Sequence, residues 1–427
     1  MTTTANQPAN ASGVQELSGG ALKRQLARAL RRQKIRALLL IAPLLAFIVL
    51  GFILPIGSML MRSVENQIVE EILPQTVVAL EDWDESGDEL PSEEVFTALV
   101  ADLQVAIENR TALNLARRMN FEIAGFTTMI RRALREVPRW DLETDGPFRD
   151  RMIDVHRDWG EIQTWRALKA YSSPYTIGYY LSALDRTMVS GQIEHLPEDQ
   201  SLHLMLFWRT AWMSALICAL TLILGYPVAF LLASVKERYA NLLLIMVLLP
   251  FWTSLLVRTS SWKVLLQEQG VINDVLVGIG LVADDSRLTM INNKFGVIVA
   301  MTHILLPFMI LPLYSVMKTI PPSYVRAAKS LGANDWTAFW RVYFPQSIPG
   351  IGAGAILVFI MAVGYYITPE LVGGPSGMFI SNRIAHQWYV SGNWGLVGAL
   401  GTILLVAVLV LYWVYDRVVG IDNVKLG

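Results

Sequence analysis

Residues 324–350 read YVRAAKSLGANDWTAFWRVYFPQSIPG, an amphipathic stretch in two parts that lies between two strongly apolar segments. The first part places four residues on one face of a short helix, at i, i+3, i+4 and i+7: Tyr324, Ala327, Ala328 and Leu331. Gly332 then predicts a left-handed turn, because glycine adopts that backbone conformation without steric cost. The small alanine side chains would let another body approach the backbone of this helix closely.

The flanks of the stretch predict two helices. Pro321 and Pro322 interrupt the apolar segment before it, and Ser323 is the expected N-cap of the first helix. Asn334 or Asp335 can cap the second helix, whose apolar face repeats the same spacing: Trp336, Phe339, Trp340 and Tyr343. The sequence therefore predicts a helix-turn-helix at the cytoplasmic face of a membrane protein. It is either a surface helix tucked under the bundle or a docking site for another protein.

The composition is that of a polytopic membrane protein, with 53% hydrophobic residues among 427. A bilayer core about 30 Å thick needs about 20 apolar residues per helix. Six stretches meet this requirement: residues 37–61, 211–233, 241–257, 295–317, 348–371 and 396–415. The predicted fold class is an all-α membrane protein with six transmembrane helices. The first stretch is too long for a signal-peptide core and is interpreted as a retained span.

Charge predicts the orientation of the spans. Residues 23–36, KRQLARALRRQKIR, contain seven Lys and Arg and no acid, which places the amino terminus in the cytoplasm. Six spans return the carboxyl terminus to the cytoplasmic side as well. The predicted organisation is a basic tail (1–36), a first span (37–61), an extracytoplasmic domain (62–204), a five-span core (205–420) and a cytoplasmic tail (421–427). Nucleic-acid binding by the basic tail is a weaker alternative, because the tail directly precedes a span, and nucleic acid is not an expected partner.

The extracytoplasmic segment is strongly acidic. Residues 63–203 carry 26 of the 36 Asp and Glu but 13 of the 35 Lys and Arg, a net charge of −13. Val95, Leu99 and Leu103 recur at helical intervals, which predicts a small, mostly helical domain. It is either a docking platform for a partner with basic patches or a solubilising cap that braces the bundle. Residues 1–20 have the composition of a disordered segment.

The quoted stretch resembles the cytoplasmic EAA loop of bacterial ABC-importer permeases. That pattern is Glu-Ala-Ala, three residues, Gly, nine residues, Ile, one residue and Leu-Pro. Four positions of this sequence match it in register: Ala327, Ala328, Gly332 and Pro345. Val342 and Phe344 replace the Ile and Leu. Further stretches are similar to the spermidine/putrescine branch of these permeases: GYPVAFLLA (225–233), LPFWTSLLVRTSSW (249–262), GVIND (270–274) and ITPELVGG (367–374).

The resemblance implies a permease subunit of an ATP-driven importer for polyamines or a related amine. Opines and iron are alternative solutes of the same branch. Residues 321–346 would be the coupling loop that enters a groove on the ATPase, through Tyr324, Arg326, Ala327, Ala328, Leu331 and Gly332. The implied partners are an ABC ATPase dimer that binds ATP and Mg, a second permease subunit, a periplasmic solute-binding protein and membrane lipid. No cofactor is expected on this chain.

Two positions depart from the family pattern. Arg326 stands where Glu is usual, and a cation in the first helical turn opposes the helix dipole at a cost of about 0.3–1 kcal/mol. We therefore expect an acidic partner for Arg326, on the ATPase. Tyr365, after Gly364, stands where relatives often carry an acid, which weakens the transfer of polyamine selectivity.

Four residues are candidates for the solute path: Trp252, Tyr365, Tyr366 and Glu370. Ionisable residues within a membrane are costly and often functional, so Glu370, which follows the helix-distorting Pro369, is a candidate contact for a cation. The alternative is a carboxylate at the membrane interface. The aromatic residues would attract an amine through cation–π contacts, although interfacial aromatic belts have the same composition.

The sequence contains no catalytic or metal-binding pattern. A G-x-x-x-x-G-K-[ST] phosphate loop is absent, so ATP must bind another chain and this chain is not expected to be an enzyme. The glycines of PGIGAG (349–354) are interpreted as sites of close helix packing, His303 as a helix–helix hydrogen-bonding residue and Cys218 as a small buried residue. An ATP-independent secondary carrier and a membrane-anchored sensor or scaffold are the alternatives from other classes. The sensor leaves the coupling-loop pattern unexplained.

Overall fold

The computed structural model describes residues 19–189, 192–197 and 201–419, and the chain divides into two compact units, Met1–Met59 and Leu60–Gly427. In the first unit, α1 (Gly19–Ile48) passes through a π turn (Val49–Ile53) into α2 (Leu54–Arg62). Gln33–Arg62 is long and apolar enough to span a membrane, which agrees with the predicted first span. The predicted disorder of residues 1–20 falls mostly outside the described residues, but Gly19 and Gly20 already belong to α1.

The inserted domain begins directly after the first span. Its elements are α3 (Gln67–Ile72), α4 (Pro74–Glu81), α5 (Glu93–Glu108), α6 (Ala112–Met119), α7 (Phe126–Glu136), α8 (Phe148–Val155), α9 (Ile162–Ala170), α10 (Gly178–Ala183), and strands β1 (Arg186–Val189) and β2 (Gln192–His195). The strands pair antiparallel, with Thr187 opposite Glu194. Val95, Leu99 and Leu103 are all buried, which confirms the helical interpretation.

The domain has a hydrophobic core of its own. Its largest fully buried side chains are Trp159, Trp165, Phe96, Phe126 and Phe148. The rings of Phe96 and Trp165 meet edge to face with centroids 4.6 Å apart. Each such side chain contributes about 1.5–3 kcal/mol by leaving water, so this core is sufficient to hold the short helices together.

The membrane core follows the hairpin. Its helices are α11 (His203–Ser234), α12 (Glu237–Leu248), α13 (Leu255–Leu265), α14 (Val271–Gly278), α15 (Lys294–Thr319), α16 (Pro322–Ser330), α17 (Asp335–Ala338), α18 (Phe344–Gly364), α19 (Ile367–Val372), α20 (Gly374–Gly377), α21 (Ile380–His386) and α22 (Trp394–Val419). Short 3-10 turns occur at Val137–Arg139, Arg157–Gly160, Leu249–Trp252 and Asp284–Ser286, and π turns at Phe339–Tyr343 and Gln387–Ser391. The predicted tail at 421–427 lies outside the described residues.

Helices α11, α15 and α18 pack closely at the centre of the core. A β-carbon on Gly354 would lie 2.7 Å from Met309 Sδ, and one on Gly350 would lie 3.0 Å from Val316 Cβ. Glycine is required at both positions because the α18 backbone lies directly against α15. This confirms that the glycines of residues 349–354 serve helix packing.

Among the described residues, five helices are long and apolar enough to span a membrane, and a sixth crossing is formed if the bent pair Glu237–Trp252 and Leu255–Leu265 counts as one span. The stretch predicted to span the membrane at 241–257 lies within this pair, whose two helices meet at an angle of 91°. Pro250 lies in the 3-10 turn at the bend, and the Ser254 hydroxyl caps α13 by accepting from Val257 N at 3.2 Å.

Contacts along the three central helices make α11 and α15 parallel, with α18 antiparallel to both. The bent pair must therefore carry the chain back across the core.

The span predicted over 348–371 also ends early. Helix α18 stops at Gly364, and α19 restarts the chain at Ile367. In a continuous helix the ring of Pro369 would clash with the carbonyl of Tyr365, four residues earlier, and Pro369 could not donate a hydrogen bond to it. The proline thus explains the break.

Candidate functional site

Helix α16 is an exposed rod between two spans. None of its residues is buried; Tyr324 is 51% exposed and Leu331, at its end, is 89% exposed. The predicted N-cap is wrong: Pro321 is the N-cap and Ser323 lies inside the helix, because Pro322 occupies the first helical position, where its missing N–H is no loss. Arg326 is consequently in the middle of α16 and not in its first turn, so the predicted dipole penalty does not apply there.

The turn after α16 has the predicted conformation. Gly332 has a φ of +89°. Gly332 N donates to Lys329 O at 3.0 Å and Ala333 N donates to Ala328 O at 3.1 Å, the pair of bonds that closes a Schellman motif. A turn of this kind, held by backbone groups alone, fixes the direction in which the chain leaves α16.

The second predicted surface helix is instead the start of the next span. Asn334 caps it, accepting from Thr337 N at 2.8 Å, as one of the two predicted caps. From Asp335 the chain continues through the π turn into α18, and Asp335–Gly364 qualifies as one span. Two of the four residues of the aromatic face pack on α11: Phe230 lies 5.1 Å from Tyr343 and Tyr226 lies 6.1 Å from Phe339, between ring centroids. Trp336 and Trp340 remain exposed. Helix α16 is thus joined by short turns to α15 on one side and to α18 on the other.

The charges around α16 are mostly basic. Lys329 Nζ pairs with Asp335 Oδ1. Arg326 is exposed, and within the described part of the chain it has no ion-pair partner. The face that α16 presents therefore carries one unpaired guanidinium beside its two alanines.

A second site lies around the break in α18. The break frees two backbone carbonyls, which side chains of α21 satisfy: Ser381 Oγ donates to Tyr365 O at 2.5 Å and Asn382 Nδ2 donates to Tyr366 O at 2.8 Å. Asn382 Nδ2 also donates to Glu370 Oε2 at 2.7 Å. One buried amide therefore fixes both the broken backbone and the orientation of the predicted carboxylate.

The structure brings together three of the four predicted path residues. Tyr365, Tyr366 and Glu370 surround the break, with Glu370 exposed and Tyr365 half-buried. Tyr366 also lines a cavity of about 320 Å³ that is walled by Trp388 and Tyr389. Trp252 lies elsewhere on the bend before α13; its side chain is 80% exposed, and no aromatic ring of the described residues stacks on it.

Arg258 is a charged residue near the same break that the sequence analysis did not single out. It is half-buried on α13, and its Cζ lies 5.7 Å from the Phe251 ring centroid. Its Nε and Nη1 are buried and have no hydrogen-bond acceptor among the described residues. The predicted span ended at Val257, which placed Arg258 just outside the membrane. An arginine beside an apolar stretch was the signal that could have found it.

Two hydrogen bonds join α13, the helix that carries Arg258, to α15 and α19. Trp262 Nε1 donates to His303 Nδ1 at 3.1 Å, and His303 is the tenth residue of α15. This confirms His303 as a helix–helix hydrogen-bonding residue. Thr259 and Thr368 hydroxyls meet at 3.2 Å and join α13 to α19. Among the described residues no cluster of His, Cys, Asp and Glu has the geometry of a metal site.

Comparisons with known proteins found a matching family and several similar transport proteins. Residues 222–420 match the family described as binding-protein-dependent transport system inner membrane component. The spermidine/putrescine transport system permease protein PotB of Haemophilus influenzae is 36% identical over 225 residues, covering 53% of this chain and 78% of that protein. The inner membrane ABC transporter permease protein YdcU of Escherichia coli is 32% identical over 222 residues, covering 50% and 70%. A solved bacterial alginate ABC transporter, in complex with alginate pentasaccharide-bound periplasmic protein, is 21% identical with a TM-score of 0.42, covering 53% and 81%.

Proposed function

The chain belongs to the family of binding-protein-dependent transport system inner membrane components as a permease subunit of an ABC importer, and from this we propose that it imports polyamines such as spermidine and putrescine. The observation that carries the proposal is the 36% identity to a spermidine/putrescine permease over 78% of that protein. The anionic Glu370 beside Tyr366 is compatible with a cationic solute, since carboxylates and aromatic faces both attract amines.

Energy for transport would enter at α16. Its exposed face would dock in a groove of one ATPase of a dimer that binds ATP and Mg. Because short turns join α16 to α15 and α18, a displacement of α16 would move both spans together. A second permease subunit would complete the solute path, a solute-binding protein would deliver the solute on the opposite side, and both termini of this chain would lie in the cytoplasm.

The solute would pass the break between α18 and α19. Broken helices are tolerated within a membrane where other groups satisfy their backbone, and Ser381 and Asn382 do so here. At the break the Glu370 side chain is exposed, and the hydrogen bond from Asn382 Nδ2 holds its orientation. A cation arriving there would meet a carboxylate that is already oriented.

A second solute class is favoured by Arg258. It adjoins Thr259, whose hydroxyl contacts that of Thr368 two residues before Glu370, so the region holds both a cation and an anion. A zwitterionic amine of the opine type offers a carboxylate to the first and an ammonium to the second. A polyamine offers only ammonium groups.

Reconstitution separates these possibilities. The complete importer in proteoliposomes, with ATP enclosed, should accumulate labelled spermidine or putrescine only when the solute-binding protein is present. If an opine accumulates instead under the same conditions, the solute of this importer is a zwitterionic amine and not a polyamine. Uptake driven by this chain alone, without ATP, would identify a secondary carrier and refute the importer mechanism.

A further inference from the structure

The inserted domain lies outside residues 222–420, which match the family, and its charge is segregated along the chain. Residues 63–109 contain 13 Asp and Glu and no Lys or Arg. Residues 110–139 contain seven Arg and two Glu, a net charge of +5. The net charge of −13 therefore conceals a basic region within an acidic domain.

Helix α7 displays this basic region. It buries Phe126, Met129, Ile130 and Ala133 in the domain core, each no more than 1% exposed. The other side of the helix is an arginine face that consists of three exposed residues: Arg131, Arg132 and Arg135. In the described residues none of the three forms an ion pair or donates a side-chain hydrogen bond, whereas Arg139 in the following turn pairs with Glu136 at 3.5 Å.

A cleft of about 550 Å³ adjoins the arginine face, lined by Arg132, Arg135, Glu136, Trp140, Arg151 and Asp154. Two groups in its wall are already engaged: Arg151 pairs with Asp145 at 3.0 Å and its Cζ lies 5.8 Å from the Trp140 ring centroid. The guanidinium groups of Arg132 and Arg135 remain free at the cleft. Free arginines present five donors each in a planar fork that suits carboxylates.

We propose that the arginine face of α7 and its cleft bind carboxylate side chains on the solute-binding protein of this importer. The inference rests on the proposed function, since the family is binding-protein-dependent by description. A protein that captures polyamines must surround its own binding cleft with carboxylates, because these neutralise the ammonium groups of the solute. In the proposed complex the rim of that cleft would face the permease when solute is released. Arg132 and Arg135 supply the complementary charge.

Charge segregation makes the contact specific. A uniformly acidic domain would repel a carboxylate-rich partner at every approach. Half of the 26 acids lie in residues 63–109, outside the arginine face, so attraction acts where the arginine face meets the partner while that acidic part disfavours other orientations. The domain would thus orient the solute-binding protein as well as hold it.

The test compares two double variants with the same change of charge. Arg132→Glu/Arg135→Glu reverses the arginine face, and Arg157→Glu/Arg186→Glu reverses two exposed arginines elsewhere in the same domain. Each complete transporter, in nanodiscs of zwitterionic lipid, is assayed for the association rate with purified, solute-loaded binding protein at about 25 mM and about 500 mM salt. We expect the first variant to associate about tenfold more slowly at low salt, with the difference shrinking at high salt, and the second to resemble wild type.

Each outcome decides the proposal. Equal slowing in both variants would mean that only net charge matters, and unchanged rates in the first would mean that the arginine face makes no contact; either result overturns the inference. If the first variant associates more slowly only in nanodiscs that contain anionic lipid, the arginine face binds phosphate headgroups instead. Arg132→Gln/Arg135→Gln, expected to have about half the effect, and basal ATPase activity report on folding. If wild type itself binds no solute-binding protein, the proposed function fails first.

Discussion

The ring of Tyr179 packs so closely on Gly395 that a β-carbon on the glycine would lie 2.2 Å from Tyr179 Cζ. Tyr179 belongs to α10 at the end of the inserted domain, and Gly395 is the second residue of α22, the last span. Burial raises the pKa of the Tyr179 hydroxyl, so the ring remains neutral beneath Arg118, whose Cζ lies 4.7 Å from its centroid. The contact fastens the domain to the membrane core.

Replacement of Gly395 should loosen this attachment. Gly395→Ala is expected to lower the free energy of unfolding by about 1–3 kcal/mol, because the methyl group overlaps the Tyr179 ring. In the Tyr179→Ala variant the ring is absent, so adding Gly395→Ala should lower the free energy of unfolding much less. Thermal unfolding of the purified subunit in detergent, analysed as a double-mutant cycle, measures the coupling. If the effects of the two substitutions on the free energy of unfolding are strictly additive, the two residues do not interact.

Gly332→Val should impair coupling without preventing insertion. The φ of +89° at Gly332 is strained for a β-branched residue by about 1–3 kcal/mol, and a β-carbon at this position would meet no atom within 4 Å, so the effect is purely conformational. Gly332→Asn is the matched control, since asparagine tolerates this region. We expect valine to reduce uptake and solute-stimulated ATPase activity and asparagine to retain most of both. Equal activity of the two variants would refute the docking role of α16.

Arg326→Glu should weaken binding of the ATPase. Arg326 is exposed on α16, and we expect an acidic partner on the ATPase, so reversal replaces attraction by repulsion. The dissociation constant should rise about tenfold at low salt and less at high salt. Arg341→Glu, a reversal at another exposed cation in the following π turn, is the control. If both reversals weaken binding equally, no specific partner for Arg326 exists.

Glu370→Gln should reduce uptake of a cationic solute while leaving the fold intact. Glutamine keeps an oxygen that accepts from Asn382 Nδ2, so the hydrogen bond survives and the charge alone is lost. Because Glu370 is exposed, the loss of uptake should shrink at higher ionic strength. Initial uptake rates over a range of salt concentrations are the measurement. Kinetics that stay unchanged throughout would leave Glu370 with a structural role only.

Arg258→Leu should have opposite effects on stability and on transport. Its buried Nε and Nη1 lack acceptors in the described chain, and each unsatisfied polar group costs about 1–3 kcal/mol, so leucine should raise the unfolding temperature of the isolated subunit. The complete importer should lose uptake, since the charge near the break in α18 is removed. Lys263→Leu, at an exposed residue of the same helix, controls for a change of charge. A parallel fall in stability and uptake would indicate a structural role.

Hydropathy and local spacing predicted the spans and the turn at Gly332, because both depend on neighbouring residues alone. The break after Gly364 was equally local: Pro369 excludes a helix through Tyr365, but a stretch that is apolar throughout conceals the interruption. The predicted N-cap of α16, Ser323, lies two residues after the observed one, Pro321. Serine is a common N-cap, but proline is equally suited to the first helical position, which Pro322 occupies.

The rest of the two sites depended on contacts that are distant in sequence. The residues near Tyr366 in sequence do not indicate that Asn382 donates to its carbonyl. The packing of the Arg258 helix on α15 likewise depends on the distant pair Trp262 and His303. Averaging charge over residues 63–203 likewise hid the arginine face. Of the aromatic face predicted at residues 336–343, Phe339 and Tyr343 pack on α11, whereas Trp336 and Trp340 are exposed.

The π turn Phe339–Tyr343 sets the rotational phase between α17 and α18. A π turn contains one residue more than the corresponding α turn, and each residue of an α-helix turns the chain by about 100° and advances it by about 1.5 Å. A one-residue change in the length of this turn would therefore rotate the glycine face of α18 by about 100° relative to α17, away from α15.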